Sequence, residues 1–296
     1  MNNKRATALR AQSIVKLSAV LLAFYLLCRY GLRIPTGISA VGVLGILLFA
    51  LLSEWIALYA DRCVSGERLN PDEQAYLAEA RRCLEADTGL NLERLKLYVL
   101  PDSDRMTARA YGVGRIAVTR SVLHCDQGIL RALLCHELYV GLSGDRIFKR
   151  VVFAVVGVAM VVLTVCSLAA TVSLWLVFFL LAMLGICGKG VLSLFVMHGL
   201  SKGVKGFFSL CQRAVLFVYQ ACSGLLSRRT EYQADRFTVD AGAGSGMLYF
   251  LSRFAEESAG KQTLRDALYD SHPPKDLRIA RIRQYMEETR DLQTRN

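Results

Sequence analysis

The sequence predicts an α-helical membrane protein with a small α+β domain, and two observations carry this prediction. Hydrophobic residues make up 53% of the 296 residues and charged residues only 21%, a more apolar balance than soluble domains have. The apolar residues are concentrated in long runs before residue 60 and after residue 150, and several runs could cross a bilayer. The segments 61–150 and 228–296 have the mixed composition of a folded domain, so we expect them to form one domain in two parts.

The N-terminal segment 1–60 is predicted to form a pair of transmembrane helices, at about 14–32 and 36–58. Residues 34–53 carry no charge, which is about the length needed to cross the hydrocarbon core. No small-x-small cleavage site follows the first apolar run, so this run is not a signal peptide. Because residues 1–16 contain four basic residues and no acidic one, the positive-inside rule places the N-terminus in the cytoplasm.

The first part of the domain begins with a predicted helix and continues with two strands. Asn70 can cap the helix, Pro71 suits its first turn, and Gly89 can end it. The strands are predicted at 95–100 and 115–119, where β-branched and apolar residues alternate loosely with polar ones.

Three further helices are predicted from capping residues and apolar spacing. Asp126 can cap the first of them, and Gly141 or Gly144 can end it. The other two lie in the second part of the domain, at about 246–258 and 275–290.

Between the two parts of the domain, residues 151–188 form an uncharged run of 38 residues. This run is too long for one ordinary span, and it is predicted to form a transmembrane hairpin that turns between Ser167 and Ser173. The segment 189–227 is predicted to be an interfacial amphipathic helix. A competing division makes 151–172 one span and 206–226 the next, which would bury an arginine. Both divisions give an even number of spans, so both parts of the domain are expected to face the cytoplasm.

The charge distribution and the cysteines exclude two other classes of protein. The net charge is +11, but residues 151–230 contain six basic residues and no acidic one, so much of the excess lies beside apolar runs. This pattern favours contact with an anionic membrane face over nucleic acid, for which no motif is present. The nine cysteines show no paired CxxC spacing, which is typical of a reduced, cytosol-facing domain and not of a disulfide framework.

The helix predicted after Asp126 contains the residues with the clearest chemistry. Two histidines four positions apart on a helix can hold one zinc ion, and a glutamate after the first can activate a zinc-bound water. His136 and Glu137 are present, but the position four residues after His136 is Val140, which cannot bind metal. Tyr139 lies on roughly the same face, and its phenolate is a possible substitute ligand. Taken alone, a His-Glu pair is more often a packed or solvated pair than a metal site.

A second stretch, Ser227–Arg236, places two carboxylates on one face of a helix. Glu231 and Asp235 are one helical turn apart, so one could bind a metal while the other holds a histidine by its second ring nitrogen. The alternative is a solvated acidic face that pairs with its basic neighbours.

Taken together, these motifs resemble those of the membrane gluzincin peptidases that include HtpX and the CaaX prenyl proteases. The resemblance covers about residues 60–285 and rests on four features in the same order, namely the strand Ala117–Thr119, His136-Glu137, Ser227–Asp235, and Ser271-His272-Pro273-Pro274 before the basic stretch Arg278–Ile282. No single motif is specific, but their order and the hydrophobic segments between them are. The chain departs from the pattern at Val140, at Tyr139 in place of a small glycine, and at Met106–Ala110 in place of Asn-Ala-Phe.

The resemblance implies a zincin-like cytosolic domain and a role for each site residue. His136 and Glu231 would be zinc ligands, Glu137 the catalytic base, and Asp235 the partner that holds the second ring nitrogen of His136. It also implies that the strand at 115–119 receives an extended substrate chain along its edge.

Two functions are therefore expected. The first is a membrane-bound zinc metalloendopeptidase of the HtpX type, acting on membrane or misfolded proteins at the cytoplasmic face of the inner membrane. The second is a pseudo-peptidase, a membrane-bound protein-binding module that has lost turnover because a zinc ligand is missing. In both cases the expected partners are membrane lipids and protein or peptide segments bound as an extended strand, without nucleic acid. A small transporter or a plain membrane anchor is a weaker third possibility, since the sequence shows no intramembrane ionisable cluster.

Overall fold

The computed structural model describes residues 3–101, 106–112, 114–185, 191–254 and 273–295. The elements in chain order are α1 (Asn3–Leu26), α2 (Thr36–Ala60), β1 (Val64–Ser65), α3 (Pro71–Thr88), β2 (Lys96–Leu100), β3 (Ala108–Ala110), β4 (Arg115–Thr119), α4 (Arg120–Leu123), α5 (Gln127–Ser143), α6 (Asp145–Met183), α7 (Val191–Asp240), α8 (Gly244–Arg253) and α9 (Lys275–Arg295). The chain forms two compact units. The first comprises Met1–Val151 with Ser223–Asn296, and the second comprises Val152–Cys222.

Three helices of the described residues are long and apolar enough to cross a membrane, namely Thr7–Gly31, Thr36–Ala60 and Asp145–Met183. The first two agree closely with the predicted spans. Large apolar side chains of α2, among them Leu44 and Leu52, are exposed, as expected for a surface that contacts lipid. The chain is therefore a membrane protein.

The predicted hairpin over 151–188 is wrong, because α6 is one continuous helix of 39 residues. At 1.5 Å per residue it is about 58 Å long, roughly twice the thickness of the hydrocarbon core. The hydroxyl groups that suggested a turn bond back into the helix instead, as where Thr171 Oγ1 donates to the Ser167 carbonyl at 2.8 Å. No glycine or proline lies between Gly157 and Gly185, so nothing in this stretch breaks the helix.

The helix α7 runs for 50 residues, so the predicted interfacial segment 189–227 and the Glu231 helix are continuous. Within the second unit, α6 and α7 pack side by side and run antiparallel. The ring centroids of Phe153 and Tyr219 lie 6.1 Å apart, and Gln212 donates to Thr164 Oγ1 at 2.9 Å. By length and apolar composition, the described residues contain three candidate spans and α7 is not among them, so the even number of spans stays a prediction.

A four-stranded sheet in the order β1-β2-β4-β3 lies in the first unit. The predicted strands β2 and β4 are confirmed, and they pair in parallel from Lys96 opposite Arg115 to Leu100 opposite Thr119. The strand β3 pairs antiparallel with the other side of β4. The expectation that the strand at 115–119 offers an open edge for substrate is therefore wrong, because β3 covers that edge and is itself the outer strand.

The helix α5 is almost completely enclosed by the first unit, and 13 of its 17 residues are buried. Asp126 caps it, as predicted, by accepting a hydrogen bond from the Gly128 amide, and Gly144 ends it in the left-handed conformation with φ 64°. On one side, α8 approaches so closely that a Cβ on Gly246 would lie 2.2 Å from the Gly128 carbonyl oxygen. This burial fixes the side chains of α5 in a dry environment.

The cap of α3 is also as predicted. Asn70 Oδ1 accepts from the Glu73 amide at 3.3 Å, Pro71 is the first helical residue, and Gly89 ends the helix with φ 62°. The predicted terminal helices are found as α8 and α9, with α8 shorter than expected.

Candidate active site

The structure brings His136 of α5 together with Glu231 and Asp235 of α7. His136 Nε2 lies 3.3 Å from Glu231 Oε2, and its Nδ1 lies 3.2 Å from Asp235 Oδ1. The second contact is electrostatic rather than directional, because Nδ1 is buried without a hydrogen bond. All three side chains are shielded from water, and Asp235 is completely buried. The two carboxylates, one turn apart on α7, thus flank both ring nitrogens of one histidine.

Arg278 of α9 completes this group of charges. Its Nη1 lies 3.1 Å from Glu231 Oε2, the same oxygen that faces His136. Its Nε and Nη2 donate to the two oxygens of Asp235 at 2.9 and 2.6 Å, which is the bidentate geometry of a strong arginine–carboxylate pair. His136, Glu231, Asp235 and Arg278 form a cluster of four buried ionisable groups, which we call the ion cluster.

The pKa values in the ion cluster show which groups are charged. Burial disfavours the imidazolium form of His136, but its contacts with Asp235 and Glu231 outweigh burial and raise its pKa to about 9. Burial likewise opposes ionisation of Asp235, but His136 and Arg278 outweigh it and lower its pKa. Arg278 keeps its proton, so Arg278 and the protonated His136 both lie beside the carboxyl groups of Asp235 and Glu231.

Glu137 is bound to a strand edge rather than to the ion cluster. Its Oε2 accepts from the Ala110 amide at 2.6 Å and from Arg146 Nη2 at 3.1 Å, and Arg146 also donates to the Ala110 carbonyl. Alternate residues of an antiparallel strand turn their backbone groups outward, so Ala108 and Ala110 present theirs to the open edge of β3. The Glu137–Arg146 pair therefore caps the outer backbone groups of Ala110.

A cavity of about 840 Å³ contains these groups. The outer strand lines it with Thr107, Ala108 and Arg109, while His136, Glu137 and Val140 line it from α5. Most of its remaining charged lining residues come from helices on the opposite side, namely Glu54, Asp145, Arg146, Lys149, Arg150, Glu231 and Arg278. The outer strand and the His136–Glu137 pair therefore line the same cavity.

The two residues that depart from the motif have different surroundings. Val140 lines the cavity with His136, so the position of the missing second ligand faces the site. Tyr139 does not line this cavity, and its hydroxyl donates to Gln233 Oε1 at 2.9 Å. Its ring packs against Phe237 with centroids 5.6 Å apart. The expectation that Tyr139 could replace the missing ligand does not agree with this geometry.

Sequence reasoning missed three charged residues of the site. Glu54 is a buried acid near the end of a membrane helix, and it accepts from the Gly112 amide at 3.0 Å and lies 3.4 Å from Arg150 Nε. The lone acid in an apolar helix was a usable signal for Glu54. Arg146 and Arg278 carried no such signal, because their carboxylate partners are defined only by tertiary packing. His272, quoted for the resemblance, lies outside the described residues.

These features define a class of protein. The helix α5, with His136 and Glu137, faces the part of α7 that carries Glu231 and Asp235, in a protein with candidate membrane-spanning helices. This is the arrangement of a membrane metallopeptidase. Residues 71–286 match peptidase family M48, which covers more than half of the chain, and the chain belongs to that family. The resemblance drawn from the motifs is confirmed.

One curated relative and one solved structure are similar to this chain. The chain is 22% identical over 265 residues to Protease HtpX of Hahella chejuensis (strain KCTC 2396), which covers 82% of this chain and 83% of the relative. It also resembles the crystal structure of S. mikatae Ste24p, with a TM-score of 0.49 and 15% identity, over 93% of this chain and 67% of the other.

The M48 family is generally zinc-dependent, but the described residues supply only part of the ligand set of a catalytic zinc. Such sites use three protein ligands and leave one position open. His136 and Glu231 could supply two, and Val140 supplies none at the third position. Among the described residues, no group of three or more His, Cys, Asp and Glu side chains is arranged to hold a metal ion. The guanidinium of Arg278 lies beside Glu231, with 3.1 Å between Nη1 and Oε2.

Proposed function

We propose that this protein is a membrane-bound metalloprotease of family M48 whose cavity binds an extended segment of another protein, and that the missing ligand at Val140 weakens or abolishes its cleavage. One observation carries this proposal: His136 and Glu231 converge in a cavity that the outer strand β3 also lines, while Val140 occupies the position of a further ligand. The family contributes the groove, and Val140 removes the ligand that turnover requires.

The outer edge of β3 supports binding of an extended chain. Main-chain hydrogen bonds to a free strand edge bind any unfolded segment with little regard to sequence, and side-chain pockets add selectivity. We therefore propose misfolded proteins and exposed segments of membrane proteins as the partners. A segment that pairs at Ala110 must displace the Glu137–Arg146 pair. At Ala108 the amide has no partner among the described contacts, and the carbonyl accepts only from Thr107 Oγ1 at 3.4 Å.

The second candidate is a working zinc metalloendopeptidase of the HtpX type. Family membership favours it, and so does the convergence of His136 Nε2 and Glu231 Oε2. In that case Glu137 would be the catalytic base, and a ligand from outside the described residues would complete the metal site. Under either proposal the protein lies in the inner membrane with its M48 domain facing the cytoplasm, which the basic N-terminus supports.

One experiment separates the two candidates. The full-length protein, purified in detergent, is assayed for zinc content, for binding of fluorescent unfolded casein, and for casein cleavage, alongside Glu137→Gln. The proposal expects binding, less than one zinc per chain, and no cleavage that depends on Glu137. One zinc per chain together with Glu137-dependent cleavage would establish the metalloendopeptidase instead.

A strand-edge variant tests whether casein binds along β3. Ala108→Pro removes an amide that points to the open edge, so it should weaken casein binding while leaving the β3–β4 hydrogen bonds in place. Ala108→Val is the matched control, because it keeps the amide and should bind as wild type does. Equal binding by both variants would show that casein does not pair with β3.

A further inference from the structure

A second cavity, of about 430 Å³, lies on the other side of α5, between that helix, the first half of α1 and the start of α6. Its walls are mainly apolar and include Ile14, Leu17, Leu142, Ile147 and Phe148. Neither the ion cluster nor the edge of β3 lines it, and Glu137 is the one residue that borders both cavities. The catalytic chemistry of the family gives this second cavity no role.

Three arginines line the same cavity, from three separate segments of the chain. Arg10 and Arg94 take part in none of the ion pairs found among the described residues. Arg115 donates from Nε to the Tyr111 carbonyl at 3.1 Å, and its guanidinium lies 3.8 Å from the Trp55 ring centroid.

Arg115 also retains hydrogen-bonding capacity. Its Nη1 is buried without a hydrogen-bond partner among the described residues. Of the residues that line the cavity, Glu137 alone is acidic, and its carboxylate is already bound by Arg146 and the Ala110 amide. The cavity therefore combines apolar walls with an excess of positive charge.

We propose that this cavity binds one anionic phospholipid, with its phosphate among Arg10, Arg94 and Arg115 and an acyl chain along the apolar wall. A lipid fits better than a soluble anion because α1 belongs to a candidate membrane span. On that helix Ile14 and Val15 are 63% and 68% exposed, which places a lipid-facing surface beside the cavity. Basic pockets beside membrane helices bind anionic headgroups through this combination of charge and apolar contact.

The test uses the full-length protein in a non-ionic detergent and measures the shift in Tm on titration with phosphatidylglycerol. Phosphatidylcholine with the same acyl chains and inorganic phosphate serve as separate arms. The proposal expects a saturable rise in Tm with phosphatidylglycerol alone. Each arginine near an anionic lipid surface tightens binding by about fivefold in Kd. Arg10→Gln with Arg94→Gln should therefore weaken binding by about 25-fold.

Matched controls keep the test decisive. Arg82→Gln removes an exposed arginine of α3 that lies away from both cavities, and it should bind phosphatidylglycerol as wild type does. Leu17→Trp should fill the apolar part and abolish the phosphatidylglycerol effect. Because Arg10 and Arg94 are exposed, their replacement should leave the Tm without lipid unchanged.

Three results would overturn the proposal. The first is that the arginine variants bind phosphatidylglycerol as tightly as Arg82→Gln does. The second is that phosphatidylcholine shifts the Tm as much as phosphatidylglycerol does. The third is that inorganic phosphate shifts the Tm as much as the lipid does. The last result would identify a phosphate site without an acyl-chain component. None of these measurements depends on peptidase activity or on casein binding.

Discussion

Val140 is the residue on which metal binding depends, because it occupies the ligand position on the face of α5 that lines the cavity. Restoring a histidine there should add a third ligand beside His136 and Glu231. If zinc affinity of ~10–16 kcal/mol is shared among four ligands, one ligand contributes about 3 kcal/mol, or roughly a hundredfold in Kd. We predict that Val140→His raises the zinc content from well below one to about one per chain, as measured by elemental analysis.

Turnover should accompany zinc in Val140→His and depend on Glu137. Casein cleavage is expected in the single variant and should be lost when Val140→His is combined with Glu137→Ala, because the water then lacks its base. Zinc binding without cleavage would mean that the Arg146 contact keeps Glu137 away from the water. No change in zinc content would mean that the ion cluster, with Arg278 on Glu231, excludes metal by itself.

The raised pKa of His136 predicts how stability depends on pH. A group whose pKa rises from 6.5 when unfolded to about 9 when folded binds its proton more tightly in the folded state. Its stabilising contribution is complete below about pH 6.5 and is lost as the pH rises through 9. We predict that the free energy of unfolding falls by a few kcal/mol across this window, as followed by urea unfolding in detergent.

The matched variant for the pH profile is His136→Gln, which cannot titrate and should show a flat profile between pH 6.5 and 9. Zinc bound to His136 would require the neutral imidazole. Because the unfolded histidine is also neutral above about pH 6.5, stability would then be nearly flat between pH 6.5 and 9 and would fall only below that window. A falling profile therefore indicates a protonated histidine, and a flat profile indicates a histidine that binds metal.

At the scale of elements, the strand β3 determines what the cavity can bind. The Glu137–Arg146 pair occupies the outward backbone groups of Ala110, so it competes with any segment that pairs along this edge. We predict that Arg146→Gln combined with Glu137→Gln increases the affinity for unfolded casein several-fold. The double change removes both charges, so neither is left buried without a partner. Arg120→Gln, which changes an exposed arginine outside both cavities, should leave casein affinity unchanged.

The buried Glu54 attaches α2 to the loop before β4 and to α6. Its carboxylate accepts a hydrogen bond from the Gly112 amide and forms an ion pair with Arg150. We predict that Glu54→Leu lowers the free energy of unfolding by about 1–3 kcal/mol, because it leaves the buried Gly112 amide without an acceptor. Glu54→Gln keeps an acceptor and should cost less. Equal thermal stability of the two variants would show that this attachment does not stabilise the fold.

Local features of the fold could be predicted from the sequence, whereas contacts between distant segments could not. Caps at Asn70 and Asp126 and the strands β2 and β4 depend on neighbouring residues, and they were predicted correctly. The outer position of β3 depends on strand order, which no short stretch of sequence contains. The continuity of α6 was missed because length alone suggested a hairpin, although Thr164 and Thr171 can satisfy their hydroxyls within one helix.

The motif residues of the candidate site were predicted, but their charge partners were not. The spacing of Glu231 and Asp235 placed both on one face, and the structure turns that face toward His136. Arg278 reaches the same carboxylates from a helix whose basic pattern resembles an ordinary solvated surface. Only packing distinguishes an arginine that holds a buried carboxylate from one that faces water.

At the scale of the whole molecule, the chain must return to the side of the membrane from which α6 departs. His136 precedes α6 and Glu231 follows it, yet their side chains lie 3.3 Å apart. If α6 crosses the bilayer, α7 has to cross it as well, despite its charged residues Lys202, Lys205 and Arg213. We predict that a cytoplasmic reporter fused to either end of the protein is active and that a periplasmic reporter at either end is not. A reporter active on opposite sides at the two ends would contradict a return crossing.

The division of the first unit by an inserted pair of long helices has a consequence for biogenesis. During synthesis, α5 and the sheet leave the ribosome well before Glu231, Asp235 and Arg278, so the ion cluster cannot form until α6 and α7 have been synthesised. If α6 and α7 were inserted incorrectly, the His136 imidazole would stay apart from the carboxylates of Glu231 and Asp235. Completion of the ion cluster therefore coincides with correct insertion, and a quality-control protease could distinguish mature molecules from misinserted ones by the exposed half-domain alone.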